Sequence, residues 1–372
     1  MSQIVDTERP EPLSGSGDPP RDLLLDVKDL SVEFDTGHGP LRAVDGISLQ
    51  IRTGERLGIV GESGSGKSVA ARAVMGLLPR TARTTGQIDF AGTELLGLDP
   101  NQRRTLLGAD VSMVFQDPMT ALNPVVRVGR QISEGLRFHG SNDRQAVREA
   151  TLEMMRRVGI PDAEARLRAY PFEMSGGMRQ RICIAAALIC GPRLLIADEP
   201  TTALDVTIQR QILDVLTDMG RGGMSMLLIT HNLGVAASRT DRVAVMYSGR
   251  VVETAPTADL FRTPRHPYTV GLMRSMPRLA DAPHTRLVAI PGRQVRSAGP
   301  TQGCRFADRC ASAQPKCLRI EPDLTTDDSS PDHAYACFFP RGTAHGEAAL
   351  ASNRAAGTTA AGLSVPEEEV SS

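Results

Sequence analysis

The stretch from Gly61 to Ser68 has the residue types that bind phosphate. It reads GESGSGKS, follows the apolar segment RLGIV and precedes the helix-like segment VAARAVMGLL. Between a strand and a helix, such glycines let backbone N–H groups converge on phosphate oxygens, and the helix N-terminus adds partial positive charge. Lys67 is placed for the β- and γ-phosphates of a nucleoside triphosphate, and Ser68 for Mg²⁺. The predicted phosphate ligands are Gly61, Ser63, Gly64, Gly66, Lys67 and Ser68.

Two adjacent carboxylates follow a second apolar segment. RLLIADEP is strand-like up to Asp198, and Glu199 comes next. A carboxylate at a strand tip can hold Mg²⁺ through water, while its neighbour points elsewhere and can activate a water molecule for attack on a γ-phosphate. Two acids after a strand are a weak signal by themselves. Together with the phosphate loop they predict hydrolysis of a nucleoside triphosphate.

A third motif, MSGGMRQR, predicts a helix start. Ser175 is suited to N-cap the helix GGMRQRICIAAALIC that follows. A helix N-terminus that carries two glycines, here Gly176 and Gly177, favours anions.

These motifs, in this order, resemble the ATP-binding subunit of ABC transporters across residues 22–260. The resemblance implies roles for three further residues. Gln116, in VFQDPMTALNP, lies where the family senses Mg²⁺ and joins the catalytic core to a helical subdomain. Asp205, in TTALD, faces the partner subunit, and His231, in LLITHN, contacts the γ-phosphate.

The LSGGQ signature of that family appears here as MSGGM, so both flanking positions differ, and Met178 removes one polar group from the subunit interface. The resemblance implies that Ser175, Gly176 and Gly177 contact ATP bound to the opposite subunit in a head-to-tail pair. The family usually stacks adenine on an aromatic residue before the phosphate loop. Phe34 is the candidate, and a role as a core strand residue is the alternative.

The implied fold is α/β, with a parallel-sheet nucleotide-binding core, an antiparallel β subdomain near the N-terminus and a helical subdomain at about 118–175. Residues 22–261 would form this ABC-type ATPase domain. RVAVMYSGRVVE, near its end, predicts a hairpin with a Ser-Gly turn.

Prolines, cysteines and short polar stretches then replace the strand–helix alternation, which predicts a smaller domain over 262–341. The ends, 1–21 and about 342–372, are small, polar and aperiodic, and we expect disordered tails.

Three C-terminal segments indicate which branch of the family the chain resembles. RHPYTVGLMRSMP, AIPG and GCRFADRC resemble the C-terminal extension of peptide and nickel importer ATPases. This implies a protein at the cytoplasmic face of the cell membrane that couples ATP hydrolysis to import. Its partners would be two permease subunits, an external binding protein and a second ATPase subunit, usually a different homologue. Peptides are the favoured substrate, and nickel or another small solute is the alternative.

Other classes of protein fit the sequence poorly. The net charge is −1, so no basic field indicates a nucleic-acid partner. The apolar run ICIAAALIC is far shorter than the roughly 20 residues that span a bilayer. About 107 residues separate Lys67 from Ser175, which leaves no room for the long coiled coil of DNA-repair relatives. The chain has one ATPase unit, whereas translation-factor relatives have two.

Four cysteines, Cys304, Cys310, Cys317 and Cys337, have the spacing C-x5-C-x6-C-x19-C. Structural zinc usually uses closer pairs, while four thiolates can also hold a larger iron–sulfur cluster. Some members of the branch that this chain resembles hold a 4Fe–4S cluster at these positions. The resemblance therefore implies a cluster, with Zn²⁺ and unmetallated buried thiols as alternatives.

Overall fold

The computed structural model describes residues 23–37, 39–201, 205–220, 222–276, 289–292, 302–327 and 330–365. The predicted tail at 1–21 lies outside these residues. The strands are β1 (Leu23–Thr36), β2 (Gly39–Arg52), β3 (Arg56–Val60), β4 (Ala82–Phe90), β5 (Thr93–Glu94), β6 (Val111–Val114), β7 (Leu194–Asp198), β8 (Ser225–Thr230), β9 (Arg242–Tyr247), β10 (Arg250–Pro256), β11 (Thr325–Asp327) and β12 (Ser330–Tyr335). The helices are α1 (Lys67–Val74), α2 (Pro100–Leu106), α3 (Pro118–Ala121), α4 (Val128–Ile132), α5 (Glu134–Phe138), α6 (Arg144–Arg157), α7 (Ala163–Arg166), α8 (Gly176–Leu188), α9 (Val206–Gly220), α10 (Leu233–Arg239), α11 (Thr257–Arg262), α12 (Pro267–Arg274) and α13 (Ala344–Ala356).

The strands that precede and follow the phosphate loop belong to two sheets. An antiparallel sheet has the order β2-β1-β4-β5, and a mixed sheet has the order β11-β12-β10-β9-β3-β8-β7-β6. From β9 to β6 the mixed sheet is parallel. Strands β7 and β8 are buried along their whole length, as apolar parallel strands covered on both faces should be. One apolar cluster joins Leu25 and Ile51 of the antiparallel sheet to Ala70 of α1.

The predicted hairpin is confirmed. Strands β9 and β10 pair antiparallel, and Ser248 and Gly249 at the turn both have positive φ, 45° and 86°. Two consecutive positive φ values are typical of the turn that matches the twist of a two-residue hairpin.

Between β6 and α8 the chain forms the five helices α3 to α7. Asp143 caps α6 by accepting hydrogen bonds from the backbone N–H groups of Gln145 and Ala146. Val147, Leu152 and Met155 form the buried face of α6. Within the described ranges no helix is long and apolar enough to cross a bilayer.

The residues expected to form a separate small domain share their core and a sheet with the nucleotide-binding part. Strand β12 pairs with β10, so it extends the mixed sheet. Phe306 and Cys310 lie in the same apolar cluster as Val60 of β3 and Val245 of β9. The hydrophobic core and the mixed sheet therefore continue across residue 262, where the change in composition predicted a domain boundary.

The expectation of a disordered tail from about residue 342 is wrong for α13. Thr343 caps this helix by accepting a hydrogen bond from the Gly346 N–H, and Gly357 ends it with a φ of 72°. The buried Asn353 amide donates to the carbonyl oxygens of Ala311 and Ala313, at 2.9 and 3.0 Å. These tertiary contacts stabilise an alanine-rich segment whose own pattern is weakly amphipathic.

We predict that Asn353→Ala lowers the free energy of unfolding by about 1–3 kcal/mol, because it removes the amide donor to the Ala311 carbonyl oxygen and one of the two donors to the Ala313 carbonyl oxygen. Asn353 Oδ1 also accepts from the Gln314 amide, which in the variant keeps only its bond to the Ala349 carbonyl oxygen. Chemical denaturation measures the change. The exposed neighbour variant Ser352→Ala should stay within about 0.5 kcal/mol of the native chain. Equal loss in the two variants would contradict the packing described for α13.

Candidate active site

The phosphate loop runs from the end of β3 to the start of α1 and is sterically confined. Gly61 has a φ of 153°, and a Cβ there would lie 2.2 Å from the carbonyl oxygen of Met246. Gly66 has a φ of 103°, and its Cβ would lie 2.4 Å from the carbonyl oxygen of Ala43. Both contacts are with backbone, so they cannot be relieved by a side-chain rotation. These two positions therefore require glycine.

Lys67 is the buried cation of the site. Its Nζ donates to the carbonyl oxygens of Gly61 and Glu62, each at 2.9 Å. Burial lowers the pKa of Lys67, and the negative charges of Glu199, Asp198 and Glu62 partly oppose that effect. An ammonium so placed, in a glycine-rich loop at a helix start, is suited to phosphate.

Asp198 supplies the position for a metal ion. One carboxylate oxygen, Oδ1, accepts a hydrogen bond from Ser68 Oγ at 2.8 Å, and the other, Oδ2, is buried without a partner. Burial raises the pKa of Asp198, opposed by the bond from Ser68 and by the charge of Arg72. A buried carboxylate oxygen without a partner is costly unless it binds a cation or water. The hydroxyl and carboxylate oxygens fit Mg²⁺, which binds through few protein ligands beside water and phosphate.

Glu199 brings together the other predicted catalytic residues. Its φ is 47°, in the left-handed region that non-glycine residues seldom adopt. Glu199 Oε2 accepts from Gln116 Nε2 at 3.2 Å and lies 3.1 Å from His231 Nδ1. Asp198 and Glu199, although adjacent, thus direct their carboxylates to different partners. One faces Ser68 and the other faces Gln116 and His231.

Of these groups, Lys67, Ser68, Gln116 and Glu199 line one cavity. Phe34 lies on its wall, as an adenine-stacking residue should, although it also packs on the core of the antiparallel sheet. Six lining residues were not anticipated from the sequence. The residues that line the cavity are Phe34, Leu41, Arg42, Ala43, Ser63, Gly64, Gly66, Lys67, Ser68, Val69, Gln116, Glu199, Ser248 and Gly249.

The unanticipated residues come from β2, from α1 and from the β9–β10 turn. They are Leu41, Arg42, Ala43, Val69, Ser248 and Gly249. The backbone N–H of Gly249 donates to the carbonyl oxygen of Ser65 at 2.9 Å, which fixes the turn against the phosphate loop. The Ser-Gly pair signalled a turn in the sequence. Its position beside the phosphate loop depends on strand order, which has no local signal.

The signature residues Ser175, Gly176 and Gly177 lie outside this cavity, as does Asp205 of TTALD. Ser175 caps α8 through the Met178 N–H, at 3.3 Å, and is exposed together with Gly176. Gly177 packs near Ile208, and Asp205 accepts a hydrogen bond from the backbone of that same residue at 2.9 Å. Thr202, Ala203 and Leu204 of TTALD lie outside the described residues. The exposed glycine-bearing helix start is thus free of the chain's own phosphate loop.

Comparison with known proteins decides the family. Residues 44–202 match the family described as ABC transporter, and residues 252–317 match the one described as oligopeptide/dipeptide transporter, C-terminal region. The chain belongs to the ABC transporter ATP-binding proteins of this oligopeptide/dipeptide branch.

Relatives and solved structures agree with this assignment. A "Probable peptide ABC transporter ATP-binding protein" of Sinorhizobium fredii is 50% identical over 86% of this chain and 96% of its own length. The dipeptide transport ATP-binding protein DppD of Haemophilus influenzae is 49% identical over 81% and 92%. The fold is similar, with a TM-score of 0.58 and 25% identity, to an ATP-binding cassette solved as a dimer in a post-hydrolysis state with ADP and Pi. That match covers 63% of this chain and 99% of the cassette.

This ABC ATPase brings its candidate hydrolytic groups together beside the phosphate loop, where Ser68 contacts Asp198 and Glu199 contacts Gln116 and His231. When bound, Mg²⁺ would be held by Ser68 and Asp198, and it would neutralise charge on the β- and γ-phosphates. Glu199 is placed to accept a proton from a water molecule as its oxygen bonds to the γ-phosphorus and ADP leaves. Gln116 and His231 orient the Glu199 carboxylate through their contacts with Oε2.

The four C-terminal cysteines line one apolar cavity with His266, Phe306 and Phe338 among its other walls. Burial raises the pKa of each thiol, that of Cys304 to about 11 and that of Cys310 to about 12. In the part of the chain that the structure describes, no three His, Cys, Asp or Glu side chains are arranged to hold a metal ion. The arrangement of these side chains therefore supports neither the predicted 4Fe–4S cluster nor the zinc alternative. Cys183, by contrast, packs in the core of the helical region.

We predict that Glu199→Gln reduces ATP hydrolysis by the assembled transporter at least about 100-fold, because the amide cannot accept the proton of the attacking water. ATP should still bind, and the ATP-bound closed pair should accumulate. Single-turnover hydrolysis and nucleotide retention measure the two effects. Glu164→Gln is the matched control, since Glu164 is an exposed carboxylate on α7. Near-native turnover by Glu199→Gln would refute its role as the base.

Proposed function

We propose that this ABC ATPase drives the uptake of di- or oligopeptides through a membrane importer. The observation that carries the proposal is the combination of the ATPase site described above with the oligopeptide/dipeptide C-terminal region at residues 252–317. Relatives close to 50% identical are named for peptide and dipeptide transport. In this proposal residues 22–261 form the ATPase domain, with the helical subdomain at about 118–175, and the C-terminal segment distinguishes the branch.

The importer would contain a second ATPase subunit, a different homologue. The exposed start of α8, outside the chain's own cavity, supports such pairing. Ser175, Gly176 and Gly177 would complete the partner's ATP site, and Asp205 would face the partner. The partner's signature would complete the site formed here by Lys67. Closure on ATP would then bring the two chains together head to tail.

The surface beside Gln116 is suited to the permeases. Phe115, Phe138 and Phe172 are large apolar residues that are 40%, 62% and 67% exposed. Large apolar side chains that are exposed to solvent are candidates for such a contact. Because Gln116 also contacts Glu199, movement of this surface would be linked to the state of the nucleotide. Two permeases docked here would hold the chain at the cytoplasmic face of the membrane, with a binding protein on the far side.

Purification from native membranes through a tag on this chain tests the transport proposal. We expect two permeases and a second ATPase to co-purify, and reconstituted vesicles to take up labelled peptide when ATP is present on the ATPase side. Lys67→Ala should abolish uptake while leaving the subunits assembled. Uptake of nickel without uptake of any peptide would overturn the substrate assignment, and absence of permeases would overturn the importer assignment.

The proposed contribution of Ser175 to the partner's ATP site gives a separate prediction. Ser175→Arg should reduce steady-state hydrolysis by the complex at least about tenfold, because a bulky cation replaces the cap at an anion-binding helix start. ATP binding by the isolated mutant chain should match that of the native chain. Ser238→Arg, an exposed substitution on α10, is the control. Weakened ATP binding by the isolated Ser175→Arg chain would instead place the signature in the chain's own site.

We propose that the four-cysteine cavity holds a 4Fe–4S cluster with a structural role. Four thiols on the walls of one apolar cavity match the ligand number and type of such a cluster. Cys304, Cys310, Cys317 and Cys337 would be the ligands, and the cluster would cross-link a segment that has few apolar residues.

Iron and sulfide analysis after anaerobic purification tests the cluster. We expect about four irons and four sulfides per chain. Cys310→Ser should lose most of the iron, whereas Cys190→Ser, in the helical region, should keep it. One zinc per chain would replace the cluster with a mononuclear site. Absence of metal from the anaerobic protein would leave the four thiols as packing residues.

A further inference from the structure

The phosphate loop contains one acidic residue, Glu62. Its neighbours Ser63 and Gly64 line the nucleotide cavity, but Glu62 does not. Its carboxylate is directed to the C-terminal segment instead. An anionic side chain inside a loop that binds a polyanion needs a compensating charge, since like charges at short range repel.

Arg309 supplies that charge through a bidentate ion pair. Its two terminal nitrogens donate to the two Glu62 carboxylate oxygens, at 2.7 and 2.9 Å. The Arg309 Nε donates to the carbonyl oxygen of Pro291 at 2.8 Å, and its guanidinium carbon lies 5.7 Å from the Tyr247 ring centroid. The side chain is 6% exposed. A guanidinium fixed from several sides holds a carboxylate in one orientation.

The backbone of Glu62 is held as well. Its N–H donates to the Tyr268 hydroxyl oxygen at 2.8 Å, and its carbonyl oxygen accepts from Lys67 Nζ at 2.9 Å. Tyr268 is fully buried and packs against Tyr247, with ring centroids 4.6 Å apart. Residues from α12 and from the cysteine-bearing segment thus fix both the side chain and the backbone of one phosphate-loop residue.

We propose that Arg309 is a positioning residue for ATP binding, which holds the Glu62 carboxylate away from Lys67 and the phosphates. Without Arg309, the carboxylate is free to turn toward Lys67, where it competes with the phosphates for the ammonium and repels them. The negative charge of Glu62 already acts on Lys67 in the structure. The C-terminal segment therefore contributes to nucleotide affinity through one ion pair.

The same short turn connects this ion pair to the cysteines. Arg309 ends the 3-10 turn Ala307–Arg309, and Cys310, which follows, lines the four-cysteine cavity. The inference rests on the proposed function only in that ATP is the ligand. A native chain that does not bind ATP would overturn the proposed function. Differences in ATP affinity between Arg309 variants test the role of Arg309 alone.

A double-mutant cycle on the full-length chain tests the inference. Arg309→Met keeps much of the side-chain volume against Tyr247 and removes the charge. We expect it to raise the Kd for ATP about tenfold or more, as for loss of one partner of a buried charge pair. In the Glu62→Gln background, which has no carboxylate to restrain, Arg309→Met should change the Kd less than about threefold.

The cycle separates positioning from general support of the fold. Equal weakening of ATP binding in both backgrounds, or no weakening in either, would overturn the inference. If Arg309→Met does not yield folded protein, Arg309→Lys takes its place, because lysine keeps the charge and loses the bidentate geometry. A loss of affinity that Glu62→Gln abolishes supports the inference, and a loss that it leaves unchanged overturns it.

Discussion

The phosphate loop has no room for a side chain at Gly61 or Gly66, and the geometry of the ATP site depends on that constraint. Carbonyl oxygens of Met246 and Ala43 lie where those Cβ atoms would be. The loop is therefore confined between β9 and β2. With the loop held there, α1 begins where Ser68 can donate a hydrogen bond to Asp198 at the tip of β7. Lys67 then points into the loop. Glycine at two positions thus determines how the metal-binding and phosphate-binding groups meet.

Backbone geometry at the end of β7 directs two adjacent carboxylates toward different partners. Asp198 completes the strand and faces Ser68, with one buried oxygen left for a cation. The left-handed conformation of Glu199 turns its carboxylate toward Gln116 and His231. Strain of this kind persists where surrounding structure enforces it, often at active sites. The two adjacent carboxylates thereby contact separate sets of groups beside the phosphate loop.

Sequence patterns predicted the features that have local causes. The glycine loop, the apolar parallel strands, the Ser-Gly hairpin and the cap at Ser175 each follow from a few neighbouring residues. The contacts of α13 and the pairing of β12 with β10 could not be predicted in this way. Asn353 meets Ala311 only after the intervening chain has folded, and alanine-rich composition gave no sign of that contact. The ion pair of Glu62 with Arg309 spans 247 positions and has no local signal.

Assembly of the metal site by Ser68 and Asp198 is the claim on which the hydrolytic role depends. Mn²⁺, a hard cation that prefers the same oxygen ligands, can replace Mg²⁺ and be followed by electron paramagnetic resonance. Titration of the ATP-bound chain with Mn²⁺ would compare the native chain with Asp198→Asn. We predict that the native chain binds one Mn²⁺ per ATP at least about tenfold more tightly than the variant, since an amide oxygen carries no charge. Equal Mn²⁺ affinities would contradict the assignment of Asp198 as the metal-binding carboxylate.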